Sequence, residues 1–481
     1  MPDVRLPTLD IAIVVIFVAG CLVLGAWIGR SGRGVRDYFL GDRDVPAWAV
    51  TISIVATETS AVTFLSVPGN AYREDFRFLQ LALGFLIARI LVALILLPSY
   101  FRKEVQTAYE VLSIRFGGSV RTAASILFLI ARTIGSGLRL YLAAKVLEQI
   151  THWDLRYSIV AIGGSTLAYT FLGGLKGVVW ADVLQFFVYL GAAFVAILLL
   201  ARLVPGGWPT ILSRAGHAGR LRVFDFSFDL TARYTIWSGL IGAMVLDMGT
   251  HGADHMMVQR YLSARSQRQA KWALIASGFV ILAQFALFLL IGAGIRQWHD
   301  LDPSSRPIGT DKEFATFILA AFPTGLLGLV VAAIFSVTMS TVSGAISSSA
   351  SSSVNDLIRP RFPVMSDRAL MNTSRLMTAF WGLAQVGVAL AANGMKKSVV
   401  DSALSVASFV TGILLGVFLL GLWTKSVQAR AALLGMLAGI AAVSAVAFGT
   451  RLAYPWWSLV GASTVLSVGW LAQRLERTGV H

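Results

Sequence analysis

The chain has 481 residues, 56% of them hydrophobic and 14% charged, with 40 Lys and Arg against 25 Asp and Glu for a formal net charge of +15. So little charge excludes an ordinary soluble domain, which carries about 25% charged residues. The lone cysteine, Cys21, excludes an intrachain disulfide framework or a cysteine metal cluster.

Apolar stretches long enough to cross a bilayer, at about 20 residues each, number about 13. They are placed near 9–29, 47–71, 77–98, 121–148, 153–172, 179–203, 233–250, 272–295, 314–347, 374–393, 398–422, 429–449 and 452–472. The fold class expected is therefore all-α, a polytopic membrane protein whose partner is the lipid bilayer. Asp10 opens the first run and no cleavage segment follows it, so that run reads as a retained helix and not a signal peptide.

The basic residues sit between apolar runs, which argues for membrane orientation and against nucleic acid. Arg30, Arg33, Arg36 and Arg43 follow the first span, and Arg102, Lys103, Arg115 and Arg121 the third. Arg260, Arg265, Arg268 and Lys271 follow the seventh, and Arg359, Arg361, Arg368 and Arg375 the ninth. With these connections on the cytoplasmic side, the N-terminus lies outside and the C-terminus, with Arg474 and Arg477, inside the cytoplasmic (inner) membrane.

The second span carries Thr57-Glu58-Thr59-Ser60-Ala61-Val62-Thr63 before Pro68-Gly69. A glutamate among hydroxylated residues at membrane depth needs internal partners or water. In the fourth span, Arg132 and Arg139 are seven residues apart, on one face of a helix. A guanidinium at that depth faces water, a carboxylate or a ligand, and its planar fork matches a carboxylate. Glu58 is the buried charge partner available to either, and Arg89 competes for it. Gly163-Gly164 and Gly173-Gly174 indicate tight helix contacts or a turn. His251 and His255, near Asp247 and Asp254, have helical spacing; they read as polar loop or helix-end residues and not as a metal site. The ninth span holds a second hydroxylated run, Ser336 to Ser349. Such runs permit close helix packing; two of them far apart also suit an ion cavity at a repeat interface.

Several motifs in order resemble the sodium/solute symporter family, whose members include carriers for sugars, proline, pantothenate, iodide, monocarboxylates and sialic acid. They are Asp37 to Gly41 with Trp48, Ser60 to Gly69, Thr107 to Leu112, Gly173 to Gln185, Met339 to Gly344, and Gly412 to Gly416 with Phe418 to Gly421. The resemblance implies a 5+5 inverted-repeat core in a single transporter domain, with repeats at 47–203 and 233–422. An extra N-terminal helix at 9–29 and additional helices at 429–472 flank it, and the first core helix is broken at Thr57 to Thr63. It implies a first sodium site from the carbonyls of Ala56, Thr59 and Val337 and the hydroxyls of Ser340 and Thr341. A second site would use Asp182, Ser340 and Ser343, although Gly344 stands where a further serine is expected. Asp182 has another reading, as a helix-end carboxylate paired with Lys176. Ser60, Thr63, Phe64, Phe78 and Gln80 would line the solute cavity with Arg132 or Arg139.

The function expected is sodium-coupled symport of a small polar, carboxylate-bearing organic solute by alternating access. It needs no cofactor beyond the co-transported sodium, no obligate protein partner and no enzymatic group. The alternatives are a sodium-coupled sugar or amino-acid symporter, a proton-coupled carrier using Glu58 or Asp182, and a non-transporting solute sensor.

Overall fold

The computed structural model describes residues 6–30, 34–102, 105–301, 313–393 and 399–478, without the side chains of residue 62 and residues 399–407. Arg33, Lys103 and the expected start of the eleventh span at residue 398 lie outside the described residues. The described chain is helical and has no strand: α1 (Thr8–Gly29), α2 (Ala47–Glu58), α3 (Ala61–Arg73), α4 (Leu79–Ile95), α5 (Gly118–Thr151), α6 (Leu155–Leu203), α7 (Met244–Gly252), α8 (His255–Leu262), α9 (Gln267–Leu301), α10 (Glu313–Ala321), α11 (Leu326–Ser352), α12 (Asp367–Ala391), α13 (Val399–Trp423), α14 (Ala429–Gly449) and α15 (Trp457–Thr478). Inside a bilayer every backbone polar group needs an internal partner, which is why long apolar runs become helices. Six of the described helices are long and apolar enough to cross, or up to seven if the bent pair of α2 and α3 is one span.

The interruptions matter most for function. Thr59 and Ser60 leave the helical region, the axes on either side differ by 63°, and the Ser60 hydroxyl caps α3 by accepting from the Thr63 N–H. This break is narrower than the Thr57 to Thr63 expected. The fifth and sixth spans form one element, α6, of 49 residues with a turn at Gly174. Such a helix is about 74 Å long, over twice the roughly 30 Å apolar core, so the turn divides it into two crossings. Gly174 has φ +55, and a Cβ there would stand 2.7 Å from the Tyr38 carbonyl, so glycine is required.

Two expected spans differ. The ninth, 314–347, is two helices, because Pro323 and Gly325 (φ +90) end α10 and start α11. The seventh, 233–250, begins with a π-turn at Ser238–Ala243 and continues past its expected end. Asp254 starts α8 by accepting from the Met256 N–H at 2.8 Å. His251 and His255 are therefore at helix ends but fully buried, not in an exposed basic connection.

Helix α11 forms the centre of the molecule, 89% buried over its most apolar window together with the turn that follows it, and touches α1, α2, α5, α6 and α12. Asp10 of α1 fixes its start: Oδ1 accepts from the N–H groups of Gly325 at 2.7 Å and Gly328 at 2.5 Å. A carboxylate at a helix N-terminus meets unsatisfied N–H groups and the positive end of the dipole. Close packing also sets α9 against α3, where a Cβ on Gly292 would lie 2.0 Å from the Pro68 carbonyl. Gly292→Ala is expected to destabilise the protein by about 1–3 kcal/mol through overpacking. A lowered melting temperature in detergent would register this, and an unchanged one would show that α3 gives way.

Candidate functional site

The break in the first core helix frees oxygen atoms. The last backbone bond of α2 runs from the Thr59 N–H to the Val55 carbonyl, so the Ala56, Thr57 and Glu58 carbonyls leave the helical ladder. The facing turn of α11 meets them there. Thr341 donates to the carbonyls of Thr57 and Val337, each at 3.1 Å, and the Ser340 hydroxyl is 3.4 Å from that of Thr57. Ala56, Val337, Ser340 and Thr341 thus flank one junction, joined by Thr57. The Thr59 hydroxyl is occupied, donating to the Val55 carbonyl and accepting from Gln284, both at 2.8 Å. Tyr189 in turn donates to Gln284 at 2.9 Å, holding the amide in place.

Asp182 lies in the middle of α6 and is fully buried. Its Oδ1 accepts from Ser340 at 2.6 Å, and its Oδ2 from Ser53 at 2.5 Å, Thr57 at 3.3 Å and Arg260 at 3.1 Å. Arg260 also donates to Ser53 at 3.0 Å and to the Met256 carbonyl at 2.9 Å. The sequence reading counted Arg260 as a connection charge; it is wholly buried and is the partner of Asp182, in place of Lys176. Ser343 gives its hydroxyl to the Ser340 carbonyl at 3.0 Å and not to Asp182. Gly344 explains how a guanidinium fits, since a Cβ there would stand 2.7 Å from Arg260 Nη2.

Around the break, a cavity of about 100 Å³ is lined by Thr57, Glu58, Arg132, Arg139 and Asp254 among others. The two arginines differ in their partners. Arg132 is ion-paired to Asp254 and lies over the Phe128 ring, its guanidinium carbon 5.8 Å from the centroid. Arg139 faces the cavity, and no carboxylate pairs with it among the described residues. Glu58 pairs with Arg89 and with neither of these.

The other expected solute residues are mostly engaged elsewhere. The Ser60 and Thr63 hydroxyls are 3.4 Å apart on the turn itself, and neither residue lines this cavity. Phe64 is fully buried against Tyr189, Phe288 and Phe314, and Phe78 packs edge-on against Tyr234 and Phe285. Gln80 donates to the carbonyls of Arg77 and Tyr234, each at 3.2 Å, and accepts from the Asp225 N–H at 3.0 Å. Its amide is thus committed to the connection before α7.

Asp225 itself lies outside the membrane-spanning segments. The Ser227 backbone N–H first, then the Ser227 side chain and Arg77, lower its carboxyl to about 2. A depressed carboxylate contributes stability that is complete above its unfolded value of about 3.9 and is lost as pH falls toward the folded one. Asp225→Asn is therefore expected to raise cleavage of this segment by an acid protease at pH 5. The excess over wild type should vanish as pH falls through that window.

Sequence reasoning placed Thr57 at the helix break, Asp247 and Asp254 beside the histidines and Arg260 in a basic connection, but gave none of them, nor Ser53 or Gln284, a place in the site. The signal for Asp254 was its position as a helix cap beside the bulky run His255 to Met257; Arg260 gave none, because it resembles its exposed neighbours.

Helices broken at mid-membrane around freed carbonyls, with a cavity and buried charges beside them, define a secondary transporter. The model of the sodium:solute symporter family matches residues 38–439, and the chain belongs to that family. The chain is 33% identical to the human sodium/iodide cotransporter over 90% of its length and 68% of that protein's. It is also 33% identical to the human sodium-coupled monocarboxylate transporter 1, over 91% of its length and 73% of that protein's. A solved sodium-coupled sialic acid symporter, substrate-bound and outward-open, superposes with a TM-score of 0.90 at 27% identity over 98% of both chains. A nucleobase-cation-symport-1 family transporter shares the fold alone, with a TM-score of 0.59 and 14% identity over 91% of this chain and 94% of its own. These relatives are transporters and not enzymes, and this chain is a multi-pass membrane protein that moves a solute with sodium.

Proposed function

We propose that this protein carries a small carboxylate-bearing organic solute into the cell with sodium. The observation that carries the reading is Arg139, a guanidinium facing the cavity with no carboxylate partner among the described residues. Iodide, monocarboxylates and sialic acid, named for the relatives, are all anions or acids. Thr57 and Thr250, which line the same cavity, supply hydroxyls to the solute beside Arg139.

Sodium sits at the α2–α11 junction, ligated by the carbonyls of Ala56, Thr59 and Val337 and the hydroxyls of Ser340 and Thr341. Neutral oxygens replace its hydration shell without holding it too tightly to leave. One sodium accompanies each solute, because Arg260 already supplies the positive charge at Asp182, Ser340 and Ser343. Sodium stabilises the arrangement that completes the solute pocket, so each ligand tightens the other. The repeats at 47–203 and 233–422 exchange the open side, flanked by 9–29 and 429–472, in a cytoplasmic membrane with the N-terminus outside. With one sodium per carboxylate the pair carries no net charge across the membrane, so the sodium gradient and not the membrane potential favours inward release.

The test is uptake into proteoliposomes of sialic acid, lactate, pyruvate, proline and glucose, each under a sodium or an equal potassium gradient. Accumulation of an acid with sodium alone supports the reading. Uptake driven only by a proton gradient would overturn the sodium site, and sodium-driven uptake of glucose or proline alone would overturn the role of Arg139.

A further inference from the structure

Helices α13 and α15 meet through glycine and separate towards one end. A Cβ on Gly412 would stand 2.3 Å from the Ser458 carbonyl, and one on Gly416 would stand 2.7 Å from Val465 Cβ, so the two backbones approach closely there. Further along, α13 turns to another neighbour: a Cβ on Gly421 would stand 3.0 Å from the Phe116 ring, on the short helix Ala108–Phe116. Arg115 of that helix secures the end of α13, donating to the Thr424 carbonyl from Nη2 at 2.6 Å and from Nε at 3.2 Å. Beyond Leu420 and Leu466 the separation leaves an open groove of about 340 Å³ between Trp423 and Trp470. Thr424 and Ser467 complete its lining, but their hydroxyls donate within their own helices, to the carbonyls of Leu420 at 2.6 Å and Ser463 at 2.8 Å. An apolar chain lying there would therefore strand no donor.

The rim of the groove is cationic. The Arg474 guanidinium carbon lies 3.8 Å over the Trp470 ring, which places the charge beside the groove. Lys425, Arg430 and Arg477 are exposed on the same helix ends, and Glu476 is the one carboxylate in segments 420–430 and 466–477. Arg115 covers the negative end of the α13 dipole, which would otherwise repel an anion. Tryptophans mark the boundary between hydrocarbon and water, and this boundary is at the end of the molecule proposed to face the cytoplasm. A concave apolar surface below a cationic rim, at that depth, matches an amphiphile with an acyl chain and an anionic head.

We propose that the groove between α13 and α15 binds one anionic phospholipid, with an acyl chain between Trp423 and Trp470 and the phosphate at Arg474. The planar guanidinium carries five N–H donors, enough to engage phosphate oxygens as well as a protein partner. A second copy of this chain fits the groove less well. A two-fold contact would bring the cationic rim against itself, and like charges would face each other.

The test is native mass spectrometry of the full chain in neutral detergent, titrated with phosphatidylglycerol or phosphatidylcholine. One phosphatidylglycerol should bind saturably, roughly tenfold or more tightly than phosphatidylcholine, and Arg474→Gln should weaken it roughly fivefold. Ser467→Trp fills the groove and keeps every charge, so it should abolish the saturable site. If that variant does not fold, Trp423→Ala decides instead, because it removes one wall with the charges intact and should weaken the lipid. Arg368→Gln, an exposed cation on another connection, should leave affinity unchanged. Equal affinity for the two lipids would overturn the proposal, as would undiminished binding of phosphatidylglycerol by the groove variant that folds. So would an effect of Arg368→Gln as large as that of Arg474→Gln, which would mean that net charge alone attracts the lipid. Displacement of the lipid by equimolar inorganic phosphate would assign the rim to a free anion, and a dimer that Ser467→Trp or Trp423→Ala dissociates would assign the groove to a second copy; either result overturns the lipid site.

Discussion

Arg139→Gln is expected to abolish sodium-driven uptake of the carboxylate substrate, raising KM roughly 100-fold, while leaving expression and melting temperature close to wild type. A charge-assisted hydrogen bond in a desolvated cavity contributes about 3 kcal/mol, which gives that factor. The protein itself loses little, because Arg139 has no carboxylate to abandon among the described residues. Arg132→Gln should behave in the opposite way. It strands Asp254, a buried carboxylate that starts α8, and breaking a buried pair costs about 3–5 kcal/mol. Stability should fall first, and Asp254→Asn in the same chain should restore part of it. Uptake kinetics and detergent melting of the two single variants and the double separate these roles. Equal loss of stability in both single variants would show that Arg139 also has a structural partner.

Much of this division was open at the level of sequence because local chemistry and distant pairing are legible to different degrees. The unwound turn of the first core helix is signalled locally: Thr57 to Ser60 joins hydroxyl side chains and a glutamate that no lipid-facing helix gains from. The same was true of Ser340 and Thr341. What Glu58 pairs with depends on which of three arginines the packing brings to it, and nothing in the spacing selects Arg89. Gln80 shows the converse error. An amide at membrane depth suggests a solute, yet it is engaged by the Arg77 carbonyl three residues back and by the Tyr234 carbonyl and Asp225 N–H, 154 and 145 residues away. The split of the ninth span was in principle readable from Pro323 and Gly325, but apolar residues on both sides masked the turn. Arg260 was the hardest case, since a buried arginine 78 residues from its aspartate looks like any other basic residue after a span.

Arg260 also supports the second large effect. Arg260→Ala removes the partner of a fully buried carboxylate and, in potassium, is expected to cost about 3–5 kcal/mol. Sodium should offset part of that loss, because Asp182 and the hydroxyls of Ser340, Ser53 and Thr57 are hard oxygen ligands left around the space that the guanidinium filled. Stabilisation by a bound ion grows as RT ln(1 + [Na]/Kd), so the variant's melting temperature should rise more steeply with sodium than that of wild type. Adding Gly344→Ser supplies a further hydroxyl at the position where a Cβ would otherwise meet Arg260 Nη2 at 2.7 Å. Wild type should show a Hill coefficient of about one for sodium, the limit for a single site, and the double variant a value above one if transport survives. Gly344→Ser alone should be harmful, because its side chain and Arg260 compete for one space. A wild-type Hill coefficient near two would show that a second sodium binds beside Arg260, and the fixed-charge explanation of this site would fail.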